Sequence, residues 1–119
     1  MPYVDGFIIP LPKDKIEQYR TIATRCGELW REHGALEFRE CVADDVQMGE
    51  LTSFPRSILQ QEHETVIFSW IVYASREQRD QTNAKVMADP RMKAMMDPDG
   101  MLFDGKRMIF GGFQMLVDM

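Results

Sequence analysis

The sequence predicts an α+β domain of the ferredoxin-like type, ordered βαββαβ, whose four-stranded antiparallel sheet pairs with the sheet of a second copy. Three observations carry this reading. Apolar residues recur with period two in four segments and with helical spacing between them. The segments follow one another in the split βαβ order. The third strand segment is apolar on both faces, more than two helices on one side of a sheet can cover.

Tyr3 to Ile9 (YVDGFII) is rich in aromatic and β-branched residues and ends against Pro10 and Pro12, so it reads as the first strand. The period then changes. Ile16, Tyr19, Ala23, Cys26, Trp30 and His33 are spaced by three and four and share one helical face. Asp14 and Glu17 fit a capping box before this helix, and Gly34 fits its stop. Leu36 to Ala43 alternates again, with Leu36, Phe38 and Val42 opposing Glu37, Arg39 and Cys41. A strand with one wetter face suits a sheet edge or the wall of a pocket. Asp44 to His63 has no period of its own, and a loop of that length is uncommon in a compact domain. Ser53 is placed to cap a short helix through Ile58, and the segment reads as a lid or as a surface excursion.

Glu64 to Tyr73 (ETVIFSWIVY) is the strongest strand signal, with Val66, Phe68, Trp70 and Val72 on one face and Ile67, Ile71 and Tyr73 on the other. Ser75 and Gln78 form a capping box that opens a helix towards Ala88. Asp89 and Pro90 restart a short helix, Asp as cap and Pro in the first turn. Asp97-Pro98-Asp99-Gly100 is a turn. Lys106 to Val117 is the fourth strand, in which Gly111 and Gly112 predict a bulge or a close backbone approach.

The chain of 119 residues suits one domain spanning residues 1–119. Hydrophobic residues at 45% and charged residues at 28% describe a packed globule rather than a disordered chain. With 14 basic residues scattered among 19 acidic ones, there is no clustered cationic footprint for a phosphate backbone, and nucleic-acid binding is not expected. Val66 to Tyr73 is too short an apolar run to cross a bilayer, and no membrane partner is expected. The N-terminal residues lack a basic region followed by an apolar one, so a cytoplasmic protein with Cys26 and Cys41 reduced is expected. No Cys/His spacing suggests a metal centre, and no cofactor is expected.

The pairing expectation is a question of magnitude. The fourth strand is also apolar on both sides, Met108, Phe110 and Leu116 against Ile109, Phe113, Met115 and Val117. About six large apolar side chains left in water would forgo roughly 9–18 kcal/mol, against a whole-domain stability of about 5–15 kcal/mol. Something must cover the second face. A twin sheet is the simplest cover, because most oligomers are symmetric homodimers. A hydrophobic ligand, or the long loop folded over the face, are the rivals.

Several short motifs carry a resemblance along nearly the whole chain. They are Tyr3-Val4-Asp5-Gly6-Phe7, Glu40-Cys41, Asp44-Asp45-Val46 and Phe68-Ser69-Trp70-Ile71, then Arg79-Asp80 with Asn83, Asp89-Pro90-Arg91-Met92, and Phe103-Asp104-Gly105-Lys106-Arg107-Met108 with Gly111-Gly112-Phe113 behind it. In these the chain resembles the YbaA-like bacterial family, a domain of unknown function in the dimeric α/β-barrel superfamily. It departs from the family's pattern at Leu102, where proline is expected. The resemblance implies the fold and the paired sheets, and no activity. Superfamily relatives include cofactor-free monooxygenases, small-molecule isomerases, haem-degrading enzymes and stress-related proteins, an analogy of fold alone.

The candidate ligand-binding residues are Asp5, Arg39, Cys41, Ser69, Trp70, Asp104, Lys106 and Arg107. Lys106 and Arg107 read as an anion or carboxylate site beside Asp104, or as a tight turn whose basic groups are solvated or paired. Asp5, mid-strand on an apolar face, reads as a general base or as a buried partner of Arg39 or Arg107. Cys41 lacks a local base and reads more simply as a small half-buried thiol. Asp44 and Asp45 offer hard-cation ligands or a solvated loop, and His33 at a helix end satisfies the C-terminal dipole. Ser69 and Trp70 alternate faces, so one lines a cavity if the other packs on helices. Met87, Met92, Met95, Met96 and Met101 suit a gap-filling core edge or an adaptable contact surface.

The expected function is that of a small homodimer binding a small organic ligand in a sheet-lined cavity. The alternative is a cofactor-independent monooxygenase or isomerase, with Asp5 as base and Arg107 steadying an anionic intermediate. A third reading is a structural or stress-associated partner binder that uses the loop at 44–63.

Overall fold

In the computed structural model, residues 1–95 and 102–119 are described. Four strands, β1 (Tyr3–Pro12), β2 (Glu37–Val42), β3 (Glu64–Tyr73) and β4 (Ile109–Gln114), form one antiparallel sheet in the order β2-β3-β1-β4. Helices α1 (Ile16–Glu32), α3 (Arg76–Ala88) and α4 (Pro90–Met95) pack together beside one face of this sheet, and α2 (Phe54–Ser57) is a single turn in the long connection. This is the predicted ferredoxin-like arrangement. The turn expected at 97–100, with Met96 and Met101, lies outside the described residues.

The first strand runs three residues past its predicted end. It pairs with β3 from Tyr3 opposite Tyr73 to Pro12 opposite Glu64, but with β4 only as far as Ile8 opposite Ile109. The Lys13 amide donates towards the β3 side, to His63 O at 2.9 Å. Amide directions alternate along a strand, so the nitrogens of Pro12 and Pro10 point to the side that β4 has already left. A missing N–H costs nothing there.

The capping expectations divide. Ser53 accepts from the Arg56 amide and Ser75 from the Gln78 amide, as expected, though the Gln78 side chain binds Thr82 instead of closing the box, and Asp89 accepts from the Arg91 amide ahead of α4. The capping box at Asp14 and Glu17 is absent. A 3-10 turn at Lys13–Lys15 leads straight from β1 into α1, no side chain caps the helix, and Glu17 binds Arg20 instead. The fourth strand is also shorter than predicted, with its ladder confined to Ile109–Gln114.

Residues of odd number on β1 and β3 face the helices. Ile9, Leu11 and Ile67 form one buried cluster, joined at its edge by Ile16, Tyr19, Phe103, Met108 and Leu102, so the residue that departs from the family pattern packs against the core. Tyr3, Ala35, Ile71 and Tyr73 form a second cluster, and Leu29, Val86 and Met92 a third, with Met95 at its edge; Met87 stays exposed. Leu29 and Cys26 join α1 to α3 and α4, whereas Ala23 and Gly27 are buried towards the sheet, so α1 buries a wider stripe than its predicted face. Gly27 is required there: a Cβ would lie 2.8 Å from the Phe38 ring.

The even-numbered face is open. Val4, Ile8, Phe68, Trp70, Ile109 and Phe113 line a shallow, almost wholly apolar concavity of about 420 Å³. Gly6 sits opposite Gly111 at its centre, and nothing lies within 4 Å of where a Gly6 Cβ would be. The paired glycines of β4 form no bulge, since the β1–β4 register is continuous. The predicted close approach is found at Gly112, where a Cβ would lie 2.3 Å from Tyr3 Oη.

Candidate functional site

The long segment 44–63 folds over one end of the open face. Phe54 meets the Phe68 ring edge-on at 5.7 Å, Ile58 is fully buried, and Pro10 and Val66 beneath are buried too. Phe68 and Phe113 beyond it stay exposed. The segment is fastened by Arg107. Its guanidinium donates to Glu64 at 2.8 and 2.6 Å, to Asp104 at 3.0 Å, and to the carbonyls of Ile58 and Leu59. Arg107 is therefore a half-buried structural clamp with its donors in use, and Lys106 is exposed on the same turn. Of the two readings offered for this motif, the paired turn is the one the geometry matches. Asp45 accepts only from Gln47 in the same loop, at 3.4 Å.

Asp5 faces the helices and is buried. Its partner is Arg79 of α3 at 2.7 Å, neither Arg39 nor Arg107. Burial pushes the Asp5 carboxyl above the ordinary carboxylate range, and Arg79 opposes that shift. The Arg79 guanidinium also lies 4.9 Å from the Tyr3 ring centroid. Tyr73 Oη and Trp30 Nε1 both donate to Asn83 Oδ1, closing the network from the other side. The register places Asp5 beside Ile71 and Glu64 beside Pro12, about 23 Å apart along β3 at roughly 3.3 Å per residue. Asp5 and Arg107 therefore do not form one site. The sequence suggested a strand cation for Asp5; the ion pair comes from a helix residue that only the packing brings near.

Trp70 and Ser69 do alternate, but Trp70 turns away from the helices. It lies on the open face and donates from Nε1 to Glu37 at 3.3 Å. Arg39 pairs with the same Glu37 at 3.6 Å, and Cys41 is an exposed free thiol on that edge strand. Ser69 is buried on the helix side.

On that side α1 and β2 diverge into a groove of about 860 Å³. Ile16, Ala23, Phe38, Val42 and Ile67 give it apolar walls, and Cys41 and Arg39 reach its rim from the edge strand. Beside charged residues of α1 such as Arg20, Glu28 and Arg31 it holds a pair not singled out from the sequence: Tyr19 Oη donates to Glu40 Oε2 at 2.7 Å. Ser69 stands opposite Glu40 across the β2–β3 ladder and is buried beside it. Glu40 is exposed at the groove mouth, yet its neighbours displace enough water to push its carboxyl above the ordinary range, against the hydrogen bond from Tyr19. Burial likewise raises the Tyr19 phenol and the Cys26 thiol, with Glu40 adding to both shifts. The alternation of β2 placed Glu40 on the apolar side of an amphipathic strand, which was the available signal.

His33, Glu32 and Asp89 come within 4.8 Å of one another, the only such cluster of three metal-ligand types among the described residues. Arg91 binds both carboxylates, and His33 Nε2 lies 2.9 Å from Asp89. The cluster already contains its cation and locks the end of α1 to the start of α4. No helix among the described residues is long and apolar enough to cross a membrane.

A four-stranded antiparallel sheet with its helices on one face is the fold of the dimeric α/β-barrel class. The chain belongs to the family described as "Protein of unknown function (DUF1428)", which matches residues 2–105. It is 48% identical over 118 residues to the uncharacterized protein YbaA of Escherichia coli strain K12, spanning 99% of each chain. The YbaA-like resemblance read from the motifs is thus confirmed. Among solved structures it is similar to a NIPSNAP family protein from Agrobacterium tumefaciens, with a TM-score of 0.62 and 15% identity over 96% of this chain and 92% of that one. It is also similar to SnoaB, a cofactor-independent oxygenase from Streptomyces nogalater, with a TM-score of 0.61 and 8% identity over 99% and 96%. At those identities the likeness is one of fold.

Proposed function

We propose that the protein is a homodimer that binds a small organic ligand in the groove between α1 and β2. The carrying observation is the groove itself, large enough for a small molecule, with apolar patches between charged residues, and holding a carboxyl–phenol pair that can orient a bound oxygen. Pairing is supported by the open face. Phe113 is 62% exposed and Phe68 41%, beside Trp70 and Ile109, and a contiguous apolar surface of this kind marks an interface. Native mass spectrometry of the protein purified from its host tests both parts. The expected result is the mass of two chains carrying a bound organic compound that a Tyr19→Phe variant retains poorly. A monomer at micromolar concentration overturns the pairing, and a compound held equally well by the variant overturns the groove.

The second reading is a cofactor-independent oxygenase or isomerase. It is favoured by Glu40, a carboxyl at the groove mouth beside a phenol, whose raised affinity for a proton suits acid–base work nearer neutral pH. The fold of SnoaB accommodates such chemistry in that protein. In this reading Glu40, rather than Asp5, moves the proton. Turnover of a substrate found by screening should then vanish in Glu40→Gln and persist in Asp5→Asn; the reverse pattern removes Glu40 from the role.

A further inference from the structure

We propose that residues 115–119, which follow β4, form an exchanged arm that docks in an apolar hollow of the partner copy. The proposal rests on the pairing reading and names which parts of the two copies meet. The arm is the first observation. The Met115 amide donates to Pro2 O at 3.1 Å, so the chain leaves the sheet in line with β4, past the start of β1. Beyond that bond Leu116 is 94% exposed and Val117 68%, and Met119 is exposed too. The arm is apolar, its direction is fixed at its root, and the described residues of its own chain leave it in water.

The hollow is the second. Between the segment 44–54 and the edge of the sheet lies an almost wholly apolar space of about 260 Å³, walled by Val46, Phe54, Val66 and Phe68, with Asp44 its one charged lining residue and the Cys41 thiol beside it. Phe54 and Phe68 meet there edge-on and are both exposed. Arg56 holds the wall in shape, donating to the carbonyls of Met48 and Gly49 at 2.9 and 2.8 Å. A hollow already formed costs little ordering when an apolar side chain enters it.

Geometry decides whose arm fills it. Phe68 and Val66 stand opposite Ile8 and Pro10, whereas the arm is rooted at Pro2, so the hollow lies about 20–26 Å along the strands from the root. Five extended residues span about 17 Å at most, and this arm points the other way. It cannot reach the hollow of its own chain. A two-fold axis lying between two facing sheets and across their strands reverses the strand direction, so the arm of one copy leaves over the Val66 end of the other. Such a contact is isologous, and one axis seats both arms. Arm and hollow stand at opposite ends of the open face and extend its central concavity into one self-complementary apolar surface.

Cross-linking of the full-length protein, with sedimentation beside it, tests the docking. In a Cys26→Ala background, Leu116→Cys or Val117→Cys should form a disulfide with the partner's Cys41 under mild oxidation. The link is read as a covalent dimer and as the joined peptides in mass spectrometry, and it should vanish with Cys41→Ser. Leu116→Asp combined with Val117→Asp should weaken the dimer by about tenfold or more, while each copy still unfolds cooperatively. Absence of the link in both thiol variants, a link that forms only within one chain or survives Cys41→Ser, or a dimer constant of the double variant within about twofold of wild type, overturns the arm and leaves the pairing standing. If wild type itself sediments as a monomer at micromolar concentration, the pairing reading falls and takes the arm with it.

Discussion

Arg107 meets Glu64 through both guanidinium arms, at 2.8 and 2.6 Å, and the same arginine caps the carbonyls of Ile58 and Leu59. One side chain thereby joins the start of β3, the end of the long connection and the approach to β4. Leu59 has a left-handed φ of 49°, costly for a residue with a Cβ, and Arg107 holds its carbonyl at 3.1 Å. Removing one member of such a buried pair typically loses about 3–5 kcal/mol, because the other charge is left without its partner. Arg107→Ala should therefore lose that much in a denaturant titration, and amide exchange should accelerate in 54–61 before it does in α3. A loss under about 1 kcal/mol would mean that the clamp is dispensable.

The clamp also predicts an acid response. Its hydrogen bonds hold the Glu64 and Asp104 carboxyls below the ordinary carboxylate range. A depressed folded-state pKa contributes stability that is complete above the unfolded pKa, about 4, and is lost as the pH falls through the depressed value. The thermal midpoint of wild type should fall on acidification through that window, and Glu64→Gln should start lower at neutral pH and fall less steeply. Glu40 works in the opposite sense. Its folded-state carboxyl is raised, so its ionised form opposes folding above that value.

Two glycines of the sheet separate by geometry. Gly112→Ala drives a Cβ to 2.3 Å from Tyr3 Oη and 2.7 Å from its ring, where Tyr3 is buried and Arg79 lies over it. Overpacking of this kind costs about 1–3 kcal/mol. Gly6→Ala enters open space and should change stability by less than about 1 kcal/mol. Urea titrations of the two variants would contradict this account if their order were reversed.

Phe113 is the most direct handle on pairing. It stands on the open face opposite Val4, away from the helices and from the groove. Phe113→Asp would bury a charge in any sheet-on-sheet contact and is expected to yield a monomer by sedimentation at concentrations where wild type is dimeric. Its unfolding transition should remain cooperative, since Phe113 supports none of the three buried clusters. An unshifted sedimentation coefficient would place the partner surface elsewhere.

The Asp5–Arg79 pair is tested by a variant away from any groove residue. Arg79→Ala leaves Asp5 buried without its cation and should lose about 3–5 kcal/mol. Asp5→Asn, which removes the charge and keeps the shape, should be much milder. Comparable large losses in both would show that the charge itself holds this corner together.

Local rules sufficed for the elements. Period two and helical spacing located all four strands and the main helices, and Ser53, Ser75 and Asp89 capped where their positions predicted, because these interactions span only a few residues. The doubly apolar β3 also pointed to an apolar face left open by the helices, which the structure has. Partner choice was decided by tertiary structure. Arg79 and Asp5 are separated by 74 positions and Arg107 and Glu64 by 43, and residue types alone left several cations available to each carboxylate. The same holds for the groove. Glu40 was not singled out by the pattern of β2, and its hydrogen bond follows from α1 carrying Tyr19 to within 2.7 Å of it. The Asp14 cap and the strand end at Ile9 failed for a related reason: where β4 stops relative to β1, and how β1 hands the chain to α1, depend on pairing across the sheet. Sequence patterning determined which residues face together along each element. Only the docking of those elements decided which charges meet, which are desolvated, and where a ligand finds room.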